Sequence, residues 1–248
     1  MGVLRFANQI IPFAKNSKLT VFIKVHSNKK IMKNLNKILV IAIVALAASN
    51  SYGQLVSIKA GINSAKFHIE EDPDFEGSDV KSKLGPQMGV ALEFPLTKQF
   101  SFETGLMYSS KGFKMKEEIT DMGMTYSLKY KVNVSYFEIP LTAKAFFKVG
   151  DAKIYGVFGP YLGLAINGII KMEMEFMDVK ETDSDALIIG DDISPLDIGL
   201  TIGTGVEFNR FQFGLNYGMG LNNVFLDSDD NQNRVFSFSV GFRLNNIK

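Results

Sequence analysis

The sequence predicts an all-β chain: an eight-stranded antiparallel up-and-down transmembrane β-barrel, preceded by a cleavable signal peptide. Three observations carry this. Strand-length runs alternate large apolar residues with small or charged ones. The connections between the runs alternate long and short, as they do in barrels with short turns on one side and long loops on the other. An apolar stretch with a basic start precedes the first run.

The apolar stretch comes first. Lys33 and Lys37 precede Ile38–Ala48, and Ser51 and Gly53 are the small residues expected before a cut at Gln54. The stretch is shorter than the roughly 20 residues a membrane-spanning helix needs. Residues 32–53 are therefore expected to be a signal peptide. Residues 1–31 show no usable periodicity and are expected to be an upstream extension or a mis-assigned start. The barrel domain is then 54–248.

Eight runs follow. Leu55–Ile62 sets Val56, Ile58, Ala60 and Ile62 against Ser57, Lys59, Gly61 and Asn63. Gln87–Phe94 sets Met88, Val90, Leu92 and Phe94 against Gln87, Gly89, Ala91 and Glu93. Phe100–Ser110 sets Phe100, Phe102, Leu106 and Tyr108 against Ser101, Glu103, Gly105 and Ser109. Lys129–Phe147 and Lys153–Asn167 are longer and less regular. Leu196–Phe208, Phe211–Leu221 and Val235–Leu244 close the series; in the last, Phe236, Phe238, Val240, Phe242 and Leu244 share a face. Pro95–Gln99, Val149–Ala152 and the hairpin turn Asn209–Arg210 are short connections. Lys66–Gly85, Lys111–Ser127, Gly168–Pro195 and Asn222–Arg234 are long.

Two runs need a local adjustment. In the fourth, Tyr130, Val132, Val134 and Tyr136 share one parity, and Phe137, Ile139, Leu141 and Ala143 the other. A one-residue bulge near Tyr136 would turn both sets to lipid. Alternatively, the outer part rises above the bilayer and its register is free. In the fifth, Gly159-Pro160 marks a bulge or a weakly bonded position.

Charge narrows the function classes. All 26 acidic residues, but only 19 of the 27 basic ones, follow residue 53, so the exported part carries −7. That excludes nucleic acid as an expected partner. Absence of cysteine excludes disulfides, thiolate metal sites and a lipid-anchored cysteine. The acid collects in the long connections, as in Glu70, Glu71, Asp72, Glu181, Asp183 and Asp185.

The inward faces carry the candidate site. An eight-stranded barrel is just wide enough for side chains to fill. Lys59, Glu93, Glu103, Glu138, Lys144, Glu207 and Arg243 are the expected inward charges, placed in the periplasmic half. Charges within such a wall must pair. The structural reading is an ion network that holds the barrel shut; the alternative is a gated ion or proton path. Phe94, Phe100, Phe208 and Phe211 are expected as one aromatic girdle, and Tyr108, Tyr130 and Tyr217 as the other.

Other chemistry is sparse. His68, with Ser64 nearby and acids after it, is read as an ordinary loop histidine. Asp227–Asn233 has alternate oxygen ligands but lacks the glycine and distal glutamate of a calcium loop. No catalytic residue, metal or cofactor is expected.

Pro86–Ala91, Phe102–Gly112, Tyr136-Phe137-Glu138-Ile139-Pro140-Leu141 and Phe158-Gly159-Pro160-Tyr161-Leu162-Gly163 resemble segments of the PorT-family, OmpX-like outer membrane β-barrel domain of Bacteroidetes. The resemblance implies an eight-stranded barrel and an outer-membrane location. It transfers no catalytic or binding residue. One member of that family is a type IX secretion component, so an associated role is an alternative to a structural or interaction role in the cell envelope; a narrow pore is a third. The expected partners are outer membrane lipid and envelope or secretion proteins, and the expected state is a monomer.

This orientation has a direct check. Protease added to intact cells is expected to cut within Gly168–Pro195 and spare Asn209–Arg210; the reverse pattern would invert the barrel.

Overall fold

The computed structural model describes residues 54–69, 79–121, 124–176, 179–226 and 231–245. Among them the chain forms nine strands: β1 (Leu55–Ile69), β2 (Asp79–Pro95), β3 (Phe100–Asp121), β4 (Met124–Val149), β5 (Ala152–Phe176), β6 (Val179–Ala186), β7 (Leu196–Phe208), β8 (Phe211–Asn223) and β9 (Asn231–Arg243). All but β6 join in one ring, in which β5 pairs with β4 and β7, and β9 closes on β1. Each of the eight expected runs forms part of one ring strand. Neighbouring strands are antiparallel, and closure runs from Ser57 opposite Arg243 to Ile69 opposite Asn231.

The short connections turn tightly. Gly150 at φ 61° and Asn209 at φ 54° take the left-handed conformation that two-residue hairpins demand. These turns gather at one end of the ring.

Above them the pleat sorts residues by size. On β9, Phe236, Phe238 and Phe242 are 40–52% exposed and face outward, as does Leu244 just beyond it. Their odd-numbered neighbours face the lumen. Small inward residues leave room for large ones: a Cβ at Gly205 would come within 2.3 Å of the Tyr155 ring, and one at Gly199 within 2.5 Å of the Tyr161 ring. An apolar outer band around a closed ring is what lipid requires, since closure leaves no strand edge unpaired.

The fourth run departs from the bulge expectation. Tyr130, Val132, Val134 and Tyr136 point into the barrel, with exposures of 8% or less. Thr142 and Lys144 share their parity and are also buried. Phe137 and Ile139 take the other parity. No turn to lipid is needed, because the upper part of β4 has left the lipid zone. Tyr130 is thus a core residue and not part of an aromatic girdle. The register shift lies in β5 instead: Ser135 pairs with Asn167 and Tyr136 with Ala165, so Ile166 is extra. Gly159 and Pro160 pair with Thr201 and Leu200 without a break in the β7 register.

The long connections are shorter than their sequence suggests. β3, β4 and β5 run 22, 26 and 25 residues, against the roughly 9–11 that cross a bilayer. Most of Lys111–Ser127 is therefore strand. Within 168–195, the upper half of β5 pairs with β6, from Ile169 opposite Ala186 to Phe176 opposite Val179. His68 lies on β1 opposite Gln232, not in a loop. Residues 70–78 and 227–230, which hold the first acidic cluster and most of the calcium-like run, lie outside the described residues.

The tall wall is roofed from inside. Phe67, Phe113, Met115, Tyr130, Val132, Val134 and Ile170 form an apolar cluster with Leu187, Ile193 and Val224. The chain from Leu187 to Pro195 folds against this cluster. It is held by backbone hydrogen bonds from Leu187 to Gly168 and Ser194 to Val224, each donor named first. The Asp192 carboxylate accepts from the Ile188 N–H at 2.7 Å. Phe67 stacks near Phe113 at 4.8 Å and Phe225 at 5.7 Å.

Ile193 is fully buried. Ile193→Ala is expected to lower stability by about 2–5 kcal/mol, read as a drop in the urea midpoint in detergent micelles. It should also expose 187–195 to protease. A variant as stable and as protected as the parent would contradict a packed roof.

Candidate functional site in the barrel lumen

Every strand of the ring contributes to a charged layer near the short turns. Lys144 on β4 is its centre. Its Nζ lies 2.9 Å from Glu93, 3.1 Å from Glu103 and 3.3 Å from Glu207. These carboxylates come from β2, β3 and β7. Lys59 on β1 meets the other Glu103 oxygen at 2.5 Å. Arg243 on β9 lies 2.8 Å from Glu207 and 4.0 Å from Glu93. Gln212 on β8 donates to Glu207 at 2.9 Å. Tyr155 on β5 places its ring 4.4 Å from Lys144 Nζ. Three cations balance three carboxylates.

Register explains the need for this balance. Glu93 and Glu103 are direct cross-strand partners. Like charges so placed repel. Both side chains are almost wholly out of solvent, so their repulsion is not screened by water. Lys144, whose side chain is fully buried, sits between them. A cation–ring contact adds to its stabilisation.

A second charged layer lies above the first. Lys111 on β3 contacts Glu138 on β4 and lies 2.7 Å from Asp197 on β7. The Asp197 carboxylate also accepts from Asn233 at 2.9 Å and from the Tyr161 hydroxyl at 3.3 Å. The Lys111 ammonium stands 4.4 Å from the Tyr161 ring centre and 5.3 Å from that of Tyr136. A cavity of about 120 Å³ separates the two layers, lined by Lys59, Glu103, Lys111, Glu138, Thr201 and Asn216 among others. That is space for a few waters. The apolar roof closes the lumen above.

Of the seven residues read from sequence, six meet in the lower layer. Glu138 does not; it belongs to the upper one. Lys111 and Asp197 were not anticipated. Asp197 shares the inward parity of Gly199, Gly203, Gly205 and Glu207, so alternation alone reaches it. Lys111 shares the parity of Glu103 and Ser109, but Gly112, at φ 146°, blurs the run just beyond it. Among the described residues no group of His, Cys, Asp and Glu is arranged to hold a metal ion.

A family model of the outer membrane protein beta-barrel domain matches residues 48–226. That span holds β1 through β8 and stops before β9. A comparison with curated protein sequences found no match. Among solved structures, the chain is similar to Ail, the attachment invasion locus protein of Yersinia pestis, at 15% identity, covering 78% of this chain and 100% of that one, with TM-score 0.31. It is similar to Neisserial surface protein A at 14% identity, covering 75% and 96%, with TM-score 0.33. It is also similar to OprG from Pseudomonas aeruginosa at 11% identity, covering 79% and 97%, with TM-score 0.36.

Removing the central cation leaves three buried carboxylates short of a partner. Lys144→Met is expected to destabilise the folded barrel by about 3–5 kcal/mol. Lys129→Met removes a solvent-exposed pair with Glu175 and should leave the urea midpoint unchanged. Equal midpoints for both variants would remove Lys144 from the centre of the network.

Proposed function

The chain belongs to the outer membrane protein beta-barrel domain family, and from that premise we propose that it is a closed, non-enzymatic barrel with a structural or interaction role in the cell envelope. The occlusion of the lumen carries this reading. Two charged layers and an apolar roof stand in series in the interior, and the lower layer draws a side chain from every strand of the ring. In this reading Lys59, Glu93, Glu103, Glu138, Lys144, Glu207 and Arg243 are structural, and no solute passes them. Opening a path would strip Lys144 of carboxylates in a dry interior, at a cost of several kcal/mol.

What remains for function is the part above the bilayer. The upper halves of β3, β4 and β5, with β6, present a polar wall on which Glu181, Asp183 and Asp185 are exposed. A docking role for other envelope proteins, including secretion components, would use the same wall. The reading includes export by a cleaved signal at 32–53 and a monomeric barrel at 54–248.

Planar-bilayer recording on the refolded full-length barrel tests closure. The expected trace is silent. Stable openings of porin size would overturn the closed reading. Mild crosslinking in intact cells, followed by purification, tests the interaction role. Defined envelope partners are expected, whereas recovery of abundant porins alone would count against it.

A further inference from the structure

We infer that the outer wall of this barrel carries a basic belt that binds the phosphorylated headgroups of the outer leaflet. The belt arises from strand register. Lys81 on β2 is directly opposite Lys114 on β3. Lys114 is opposite Lys131 on β4, and Lys131 is opposite Lys171 on β5. On the other side, Lys66 on β1 is opposite Arg234 on β9. Six neighbouring strands thus carry one basic residue each.

These side chains face outward. Lys114 lies between buried Phe113 and Met115, and Lys131 between buried Tyr130 and Val132. Lys114, Lys131 and Lys171 are exposed and, among the described residues, form no ion pair.

The row above is built differently. Asp79 is opposite Lys116, Lys116 opposite Lys129, and Lys129 opposite Glu173. Lys129 also hydrogen-bonds Glu175 at 2.9 Å, which holds its pKa above the ordinary lysine value. The upper row neutralises itself. In the lower row Lys114, Lys131 and Lys171 set like charges directly opposite one another across β3, β4 and β5, an arrangement that is unfavourable without an external anion.

The position of the belt identifies that anion. Each basic residue sits just above the last outward-facing apolar or aromatic residue of its strand: Arg234 above Phe236, Lys66 above Ile62, Lys81 above Leu84, Lys114 above Tyr108, Lys131 above Phe137 and Lys171 above Ile169. The spacing is two to six residues. On strands tilted by about 45° this is roughly 5–15 Å of height. That is the layer of headgroups and of phosphorylated sugars on glycolipids. Lysine stems are apolar and long enough to reach down toward phosphate. A basic cluster at a membrane surface gains affinity for anionic lipid with each residue. The belt is broken at β7 and β8, which contain no lysine or arginine.

Full-length protein folded in zwitterionic micelles tests this, with diphosphoryl lipid A as the probe. Tight binding is expected for diphosphoryl lipid A and not for the same lipid stripped of both phosphates. Replacing Lys114→Gln, Lys131→Gln and Lys171→Gln together should weaken binding on the order of a hundredfold. The triple Lys→Arg version should bind like the parent. A control triple at the opposite rim, Lys98→Gln, Lys148→Gln and Lys153→Gln, should keep parental affinity. Heat-modifiable gel migration confirms that each variant folds. If the glutamine triple does not fold, the phosphate dependence of the parent and the arginine triple decide the matter. Equal binding of the stripped lipid, equal loss in the rim control, or equal affinity for soluble inorganic pyrophosphate would each overturn the proposal.

Discussion

An eight-stranded ring leaves an interior that only side chains can fill, and every charge placed there must be answered by another. Lys144 meets this constraint for the lower half of the barrel. It draws Glu93, Glu103 and Glu207 from three different strands to one point. Two of those carboxylates are direct neighbours across β2 and β3. The ring therefore closes favourably only when β4 is in register, with β1 and β9 supplying Lys59 and Arg243. A one-residue slip of β4 would move Lys144 to the lipid face and leave the three glutamates together. The network thus disfavours the alternatives more than it adds net stability, which is the use to which buried ion pairs are best suited.

The second organising fact is that the wall inverts. In the lower part, apolar residues face outward and charges face inward. In the upper part, Phe113, Val132 and Val134 face inward while Lys114 and Lys131 face outward. The backbone pairing continues through the change, and only the solvent differs. Where lipid surrounds the ring, apolar atoms must be outside. Where water surrounds it, the same ring must bury its apolar atoms within. The roof formed with Leu187 and Ile193 completes that upper core.

This inversion sets the limit of what could be read from sequence. Alternation identified the eight ring strands and the inward parity of Lys59, Glu93, Glu103, Lys144, Glu207 and Arg243, because period two is local and carries through each run. The turns at Gly150 and Asn209 were legible for the same reason. Tyr130 and Val134 were not, because an apolar face on a barrel strand has two meanings. It points to lipid below the headgroups and to the core above them. Lys111 was missed with Tyr130 and Val134, since ending the strand at Ser110 placed it in a loop. Glu138 was found by parity, but its partners come from strands whose heights only the three-dimensional register determines.

The boundary between the two regimes coincides with the basic row. Below Lys131, β4 offers Phe137 and Ile139 to lipid; above it, Lys129 is balanced by Glu173 and Glu175 on β5. The row is therefore where a wall built for lipid becomes a wall built for water. It lies at the foot of β3, β4 and β5, the strands that continue furthest above the bilayer. The short strands β7 and β8, which carry no such wall, contain no basic residue. The same four-strand register that creates the repulsion thus places it where an anionic surface would relieve it.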